Sequence, residues 1–175
     1  MGKENKKAKS TAECINNIIQ IELLPQKGVW VHLVEQKIPI LCHQHMSSWK
    51  EWIDHEVKED YMYYLFNEQL TVWTDEDKTK DRISTIYAGH TCSWQGHELI
   101  GMLYEEFQEL FKLIPEEYEE HVYNSSPGIN WRYYNIYYFE NLGFDLWVWR
   151  KRIRHMFIYD PADRLDDEPT ATETD

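Results

Sequence analysis

The stretch that most constrains the fold is residues 96–160. A short strand and an apolar stripe at helical spacing lead into runs so dense in aromatic residues that they cannot serve as a spacer. Phe144, Leu146 and Val148 alternate with Asp145, Trp147 and Trp149. This period of two reads as a strand with one face for each set. The Tyr-rich residues 131–139 and residues 153–159 read as strands to either side, joined through Asn141-Leu142-Gly143 and Arg150-Lys151. Three strands with short connections predict a C-terminal β-meander. Its large rings could fill a core or anchor an interface.

The rest of the chain repeats that outline. Residues 15–24, 29–34 and 38–42 predict an opening meander, with turn chemistry at Pro25-Gln26-Lys27-Gly28. Ser48 and Glu51 are spaced as a capping box. Trp49, Trp52, Ile53, Val57, Tyr61, Tyr64 and Leu65 follow at helical spacing, predicting a first helix. Strands are expected at 70–73 and 83–88, around a charged loop at 75–81. A second helix is expected from Met102 through Phe107 and Phe111 to Ile114, ended by Pro115. Strand runs interrupted by two main helices predict an α+β fold with a mostly antiparallel sheet. Residues 12–160 are expected to form one domain, or two half-domains meeting near 82–96. A disordered basic arm (1–11) and a disordered acidic tail (161–175) would flank it.

Charge narrows the partners. The net charge is -13; residues 1–10 carry +3 and residues 160–175 carry -6, leaving -10 on the body between them. A field of that sign repels nucleic acid and anionic lipid and attracts basic partners. No apolar run is long enough to span a membrane. Three scattered cysteines and a polar N-terminus without an apolar leader segment predict a reducing, cytoplasmic setting.

Catalytic motifs are missing: no nucleophile elbow, no phosphate-binding glycine loop, and hence no expected cofactor. The chain is therefore read as a binding protein rather than an enzyme. The alternative is a metal site built from Cys42, His43 and His45 with His90, Cys92 and His97. Neither cluster has a recognised ligand spacing, and His55-Glu56-Val57-Lys58-Glu59 carries Glu where a metalloprotease helix needs its second His. Asp145, the one acid within the strands of the aromatic meander, reads as a surface strand residue. Arg150, Lys151, Arg152 and Arg154 beside Trp147, Trp149 and Tyr159 suit single-stranded nucleic acid in type, but the acidic body opposes it. That patch is expected to pair with the acidic helix.

The acids Glu116, Glu117, Glu119 and Glu120 are the strongest candidates for partner contact. Read as a knot beyond the C-terminal end of the second helix, they sit where negative charge is disfavoured and are best explained by a basic partner. Trp147 and Trp149 would serve as aromatic anchors beside Asp145.

Gly96-His97-Glu98-Leu99-Ile100-Gly101-Met102, Glu105-Glu106-Phe107 and the run from Tyr138-Phe139-Glu140 to Trp147-Val148 together resemble bacterial immunity proteins, the cytoplasmic partners of polymorphic toxins. The resemblance covers residues 83–160. It implies an inhibitor that binds its cognate toxin and occludes or distorts the active site, without catalysis of its own. The acidity implies a basic toxin, such as a nuclease.

Overall fold

The computed structural model describes residues 18–33, 36–57, 61–75, 81–124 and 132–164. The predicted arm at 1–11 and the acidic tail beyond 164 lie outside these residues.

The fold is α+β and mostly antiparallel, as the strand patterns require. β1 (Ile18–Leu24), β2 (Gly28–Leu33) and β3 (Lys37–Leu41) form the opening meander. β8 (Ser93–Trp94) lies parallel to β1, and β9 (His97–Glu98) completes a five-stranded sheet. The β1–β2 turn depends on Gly28 at φ +142°, where a Cβ would collide with the Ile40 carbonyl.

The second sheet contains β4 (Ile53–Val57), β5 (Met62–Leu65), β6 (Leu70–Thr74) and β7 (Ile83–Ala88). Its other half is β10 (Glu117–Asn124), β11 (Arg132–Phe139), β12 (Phe144–Trp149) and β13 (Arg152–Tyr159). The strand order is β10-β11-β12-β13-β7-β6-β5-β4, so β13 pairs with β7 and joins the predicted C-terminal meander to the middle of the chain.

Two predicted elements are corrected. The first helix is a 3-10 segment, Met46–Trp52, and the chain beyond it forms the β4–β5 hairpin. Ile53, Val57 and the three tyrosines at 61, 63 and 64 are β-branched or aromatic, types that fit a pleated surface. Their spacing satisfies both periods over so short a run. The second helix, α1, is only Tyr104–Phe111; Lys112 in the left-handed conformation closes it, donating its N–H to the Gln108 carbonyl at 2.9 Å. Leu110 and Ile114, two positions of the apolar stripe at helical spacing, are exposed. The chain after β13 adds a single helical turn, α2 (Pro161–Arg164), within the segment read as the start of the tail.

One cluster of buried side chains joins both sheets and α1: Ile21, Val31 and Ile40 from the first sheet, Phe107 from the helix, and Val72, Ile86, Leu146 and Ile158 from the second. Full burial of an aliphatic side chain is worth about 1.5–3 kcal/mol, so this cluster fixes which face of the eight-stranded sheet turns inward.

Candidate functional site

The opposite face of that sheet carries the site. Residues paired across strands share a face, so the registers give its rows directly. One row runs Glu117, Tyr138, Asp145, Phe157, Tyr87, Thr71, Tyr64 and His55 from β10 to β4. The next runs Glu119, Ile136, Trp147 and His155. A third contains Tyr159, Thr85, Trp73 and Met62. The predicted parity of β12 holds: Phe144, Leu146 and Val148 belong to the core cluster, while Asp145 and Trp147 share the outer face.

The outer rings form a connected layer. Phe157 lies 6.0 Å from Trp73, 5.2 Å from Tyr87 and 5.1 Å from Trp147 between ring centres. Those four rings are half-buried. Trp73, Tyr87 and Trp147 are amphipathic, as suits a surface that can meet either water or another chain.

A pocket of about 370 Å³ opens in this layer. Thr85, Tyr138, Asp145, Trp147, Phe157 and Tyr159 line it, with Ser84 and Asp163 at one end. Asp145 is only 4% exposed and accepts a 2.7 Å hydrogen bond from the Tyr159 hydroxyl. This corrects its reading as a surface residue. Parity gave the right face, but that face is filled by large neighbours that bury a short acid.

Beside the pocket, His155 is held between two hydroxyls. Its Nδ1 stands 2.8 Å from the Tyr87 oxygen and its Nε2 stands 3.1 Å from the Tyr134 oxygen. Burial, reinforced by Arg132 and Arg154, brings its pKa down to about 4. The ring is therefore neutral near pH 7, accepting from one tyrosine and donating to the other. Nothing in the sequence pattern singled out His155; only the register places it between Tyr87 and Tyr134.

Glu116, Glu117, Glu119 and Glu120 are all exposed, but their setting differs from the one predicted. The last three lie in β10, the edge strand of the eight-stranded sheet, and Glu116 precedes it. α1 ends at Phe111, so the helix dipole plays no part in their placement. Glu119 Oε1 accepts from the Tyr138 hydroxyl at 2.6 Å, Glu120 Oε1 from the Tyr118 hydroxyl at 2.7 Å, and Glu116 Oε1 from the Asn141 amide at 2.6 Å. Glu117 and Glu119 thus rim the face that holds Asp145 and Trp147. Trp149 stands apart, its ring approached by the guanidiniums of Arg132, Arg150 and Arg154.

The six metal-ligand candidates are not brought together. Among the described residues no group of three or more His, Cys, Asp or Glu is placed to hold a metal ion. Cys42 and Cys92 are buried thiols whose pKa values burial raises, that of Cys42 to about 12. His43 turns toward Asp160 at 3.1 Å, His97 meets the Phe111 ring edge, and His45 and His90 are exposed. No protein-family model matches the chain, and neither a curated protein nor a solved structure matches it.

Proposed function

We propose that this chain is an immunity-type inhibitor that binds a basic toxin, in the cytoplasm, through the outer face of the eight-stranded sheet and its acidic edge. The observation that carries this reading is the row Glu117–Tyr138–Asp145–Phe157 together with Glu119 and Trp147. It sets carboxylates and half-buried rings side by side on one face of a chain with net charge -13. Such a face fits a basic polypeptide. Complementary charge speeds association, and aromatic anchors hold the complex once formed. β10 also presents an edge, and its exposed glutamates keep that edge from pairing indiscriminately.

The test uses the intact chain as bait at low salt, followed by recombinant production of whatever basic protein is retained. The expected partner is toxic when expressed alone and harmless when co-expressed with this chain. Its association slows at least about tenfold in the Glu117→Lys/Glu119→Lys variant. A retained protein that is not toxic, or one that binds this variant unchanged, overturns the proposal. Retention of nucleic acid instead would do the same.

A further inference from the structure

The basic run after β12 is divided by the fold. Lys151 Nζ lies 3.4 Å from Glu105 Oε1, and Arg152 donates to the Gly101 carbonyl at 2.7 Å. Lys151 thus joins the acidic helix, as the sequence predicts for the whole patch, and Arg152 the turn that precedes it. Arg150 and Arg154 do not. They converge with Arg132, from the start of β11, on the ring of Trp149, at 4.4, 5.4 and 4.3 Å from its centre.

A guanidinium stacked on an aromatic ring spends its flat face and keeps its in-plane N–H donors. Arg154 Nε is buried and has no hydrogen-bond partner among the described residues. A buried donor left without an acceptor is unfavourable. No carboxylate among the described residues is paired with any of the three arginines. Residues 121–124, 132–139 and 146–159, the described residues at this end of the meander, contain five Lys and Arg and no Asp or Glu. In so acidic a chain, this end is a separate positive pole. Three guanidinium forks on one ring exceed what a single carboxylate can satisfy and suit the several oxygens and higher charge of a phosphate group.

We propose that Arg132, Arg150 and Arg154, gathered by Trp149, form a binding site for a phosphate-type oxyanion. It lies at the opposite end of β12 from the Asp145 pocket. The same chemistry could be presented by a small phosphorylated compound or by the backbone of a nucleic-acid strand.

The experiment compares thermal unfolding of the full chain in pyrophosphate and in sodium chloride at equal ionic strength. Pyrophosphate is expected to raise the midpoint by several degrees beyond chloride, because a ligand that binds only the folded state stabilises it. The gain should shrink in Arg150→Gln, where an exposed side chain with no hydrogen bond to the described residues is changed and folding is not at stake. It should vanish in Arg132→Gln. An independent readout is the His155 imidazole followed by NMR through a pH titration. An anion between Arg132 and Arg154 offsets their field, so the His155 midpoint should move upward with pyrophosphate. A short oligodeoxynucleotide that competes for the same site would make a strand the source of the phosphate; failure to compete would make it a small compound. Equal midpoints in pyrophosphate and chloride, or a His155 titration unmoved by pyrophosphate, overturn the proposal.

Discussion

The two faces of the eight-stranded sheet are built from the same strands and obey different chemistry. The inner face is aliphatic or Phe: Val72, Ile86, Phe139, Phe144, Leu146, Met156 and Ile158, all essentially without exposed surface. The outer face, one residue out of phase, is Trp73, Tyr87, Tyr138, Asp145, Trp147, His155 and Phe157. Most of its side chains carry a polar atom at the tip of a ring, and several use it to bond one another. Inner residues define the fold by having no alternative to burial. Outer residues are poised between water and a partner, which is the property a binding face needs.

The largest effect should fall on the inner face. Leu146→Ala removes a fully buried side chain and should cost about 2–5 kcal/mol, measured as a shift of the denaturant midpoint at constant slope. Trp147→Ala, the next residue and a larger truncation, should cost about 1–2 kcal/mol because its ring is only half-buried. Equal losses would make the outer layer a second core and break the comparison. Within the outer face, Tyr159→Phe should cost at least as much as Trp147→Ala. It removes the 2.7 Å hydrogen bond to the buried Asp145 carboxyl, and loss of a donor to a buried acceptor costs about 1–3 kcal/mol.

His155 gives the outer face a pH dependence that the inner face lacks. The unfolded imidazole takes its proton near the ordinary value of 6.5, the folded one only near 4. Between those values the unfolded state binds more protons. Stability is therefore complete above pH 6.5 and falls as the pH is lowered toward 4, by on the order of 3 kcal/mol. The charged groups responsible, beyond burial, are Arg132, Arg154 and His90. Subtracting the profile of His155→Gln from that of the parent chain removes the background of carboxylate titration. A difference that is flat from pH 7 to 4 would mean that His155 is far wetter than its two tyrosine partners imply.

The inner face was largely legible in the sequence because exclusion from water leaves a strong trace. Alternation at Phe144–Trp149 gave the strand and its two faces, and burial against the first sheet decides which of them is core. Two things hid the remainder. Short aromatic runs satisfy helical and strand spacing at once, which is how residues 53–65 read as a helix although they form a hairpin. Contacts between distant strands leave no local trace at all. Glu117–Glu120 could be seen as an acidic group, but their place on an edge strand depends on pairing with β11. Asp145 could be assigned to a face, but its burial depends on Tyr159 and Trp147 around it. His155 becomes notable only once β7, β11 and β13 share one sheet. The candidate site was thus half visible: its acids and rings by composition, its pocket only by register.

The smallest effect on stability should separate the faces most sharply. Glu117→Lys/Glu119→Lys changes two exposed side chains at a sheet edge, one of them accepting from Tyr138. Surface changes of this kind usually stay within about 0.5 kcal/mol each, so the unfolding midpoint should barely move. Binding should respond in the opposite proportion. The substitution reverses charge along the rim of the Asp145–Trp147 face, so association with a basic partner should slow at least about tenfold at low salt. High salt should narrow that difference by screening, while Trp147→Ala should act mainly on dissociation and keep its effect at any salt. If the glutamate variant instead lost several kcal/mol of stability, the acidic rim would belong to the fold, and the division of labour between the two faces would fail at its edge strand.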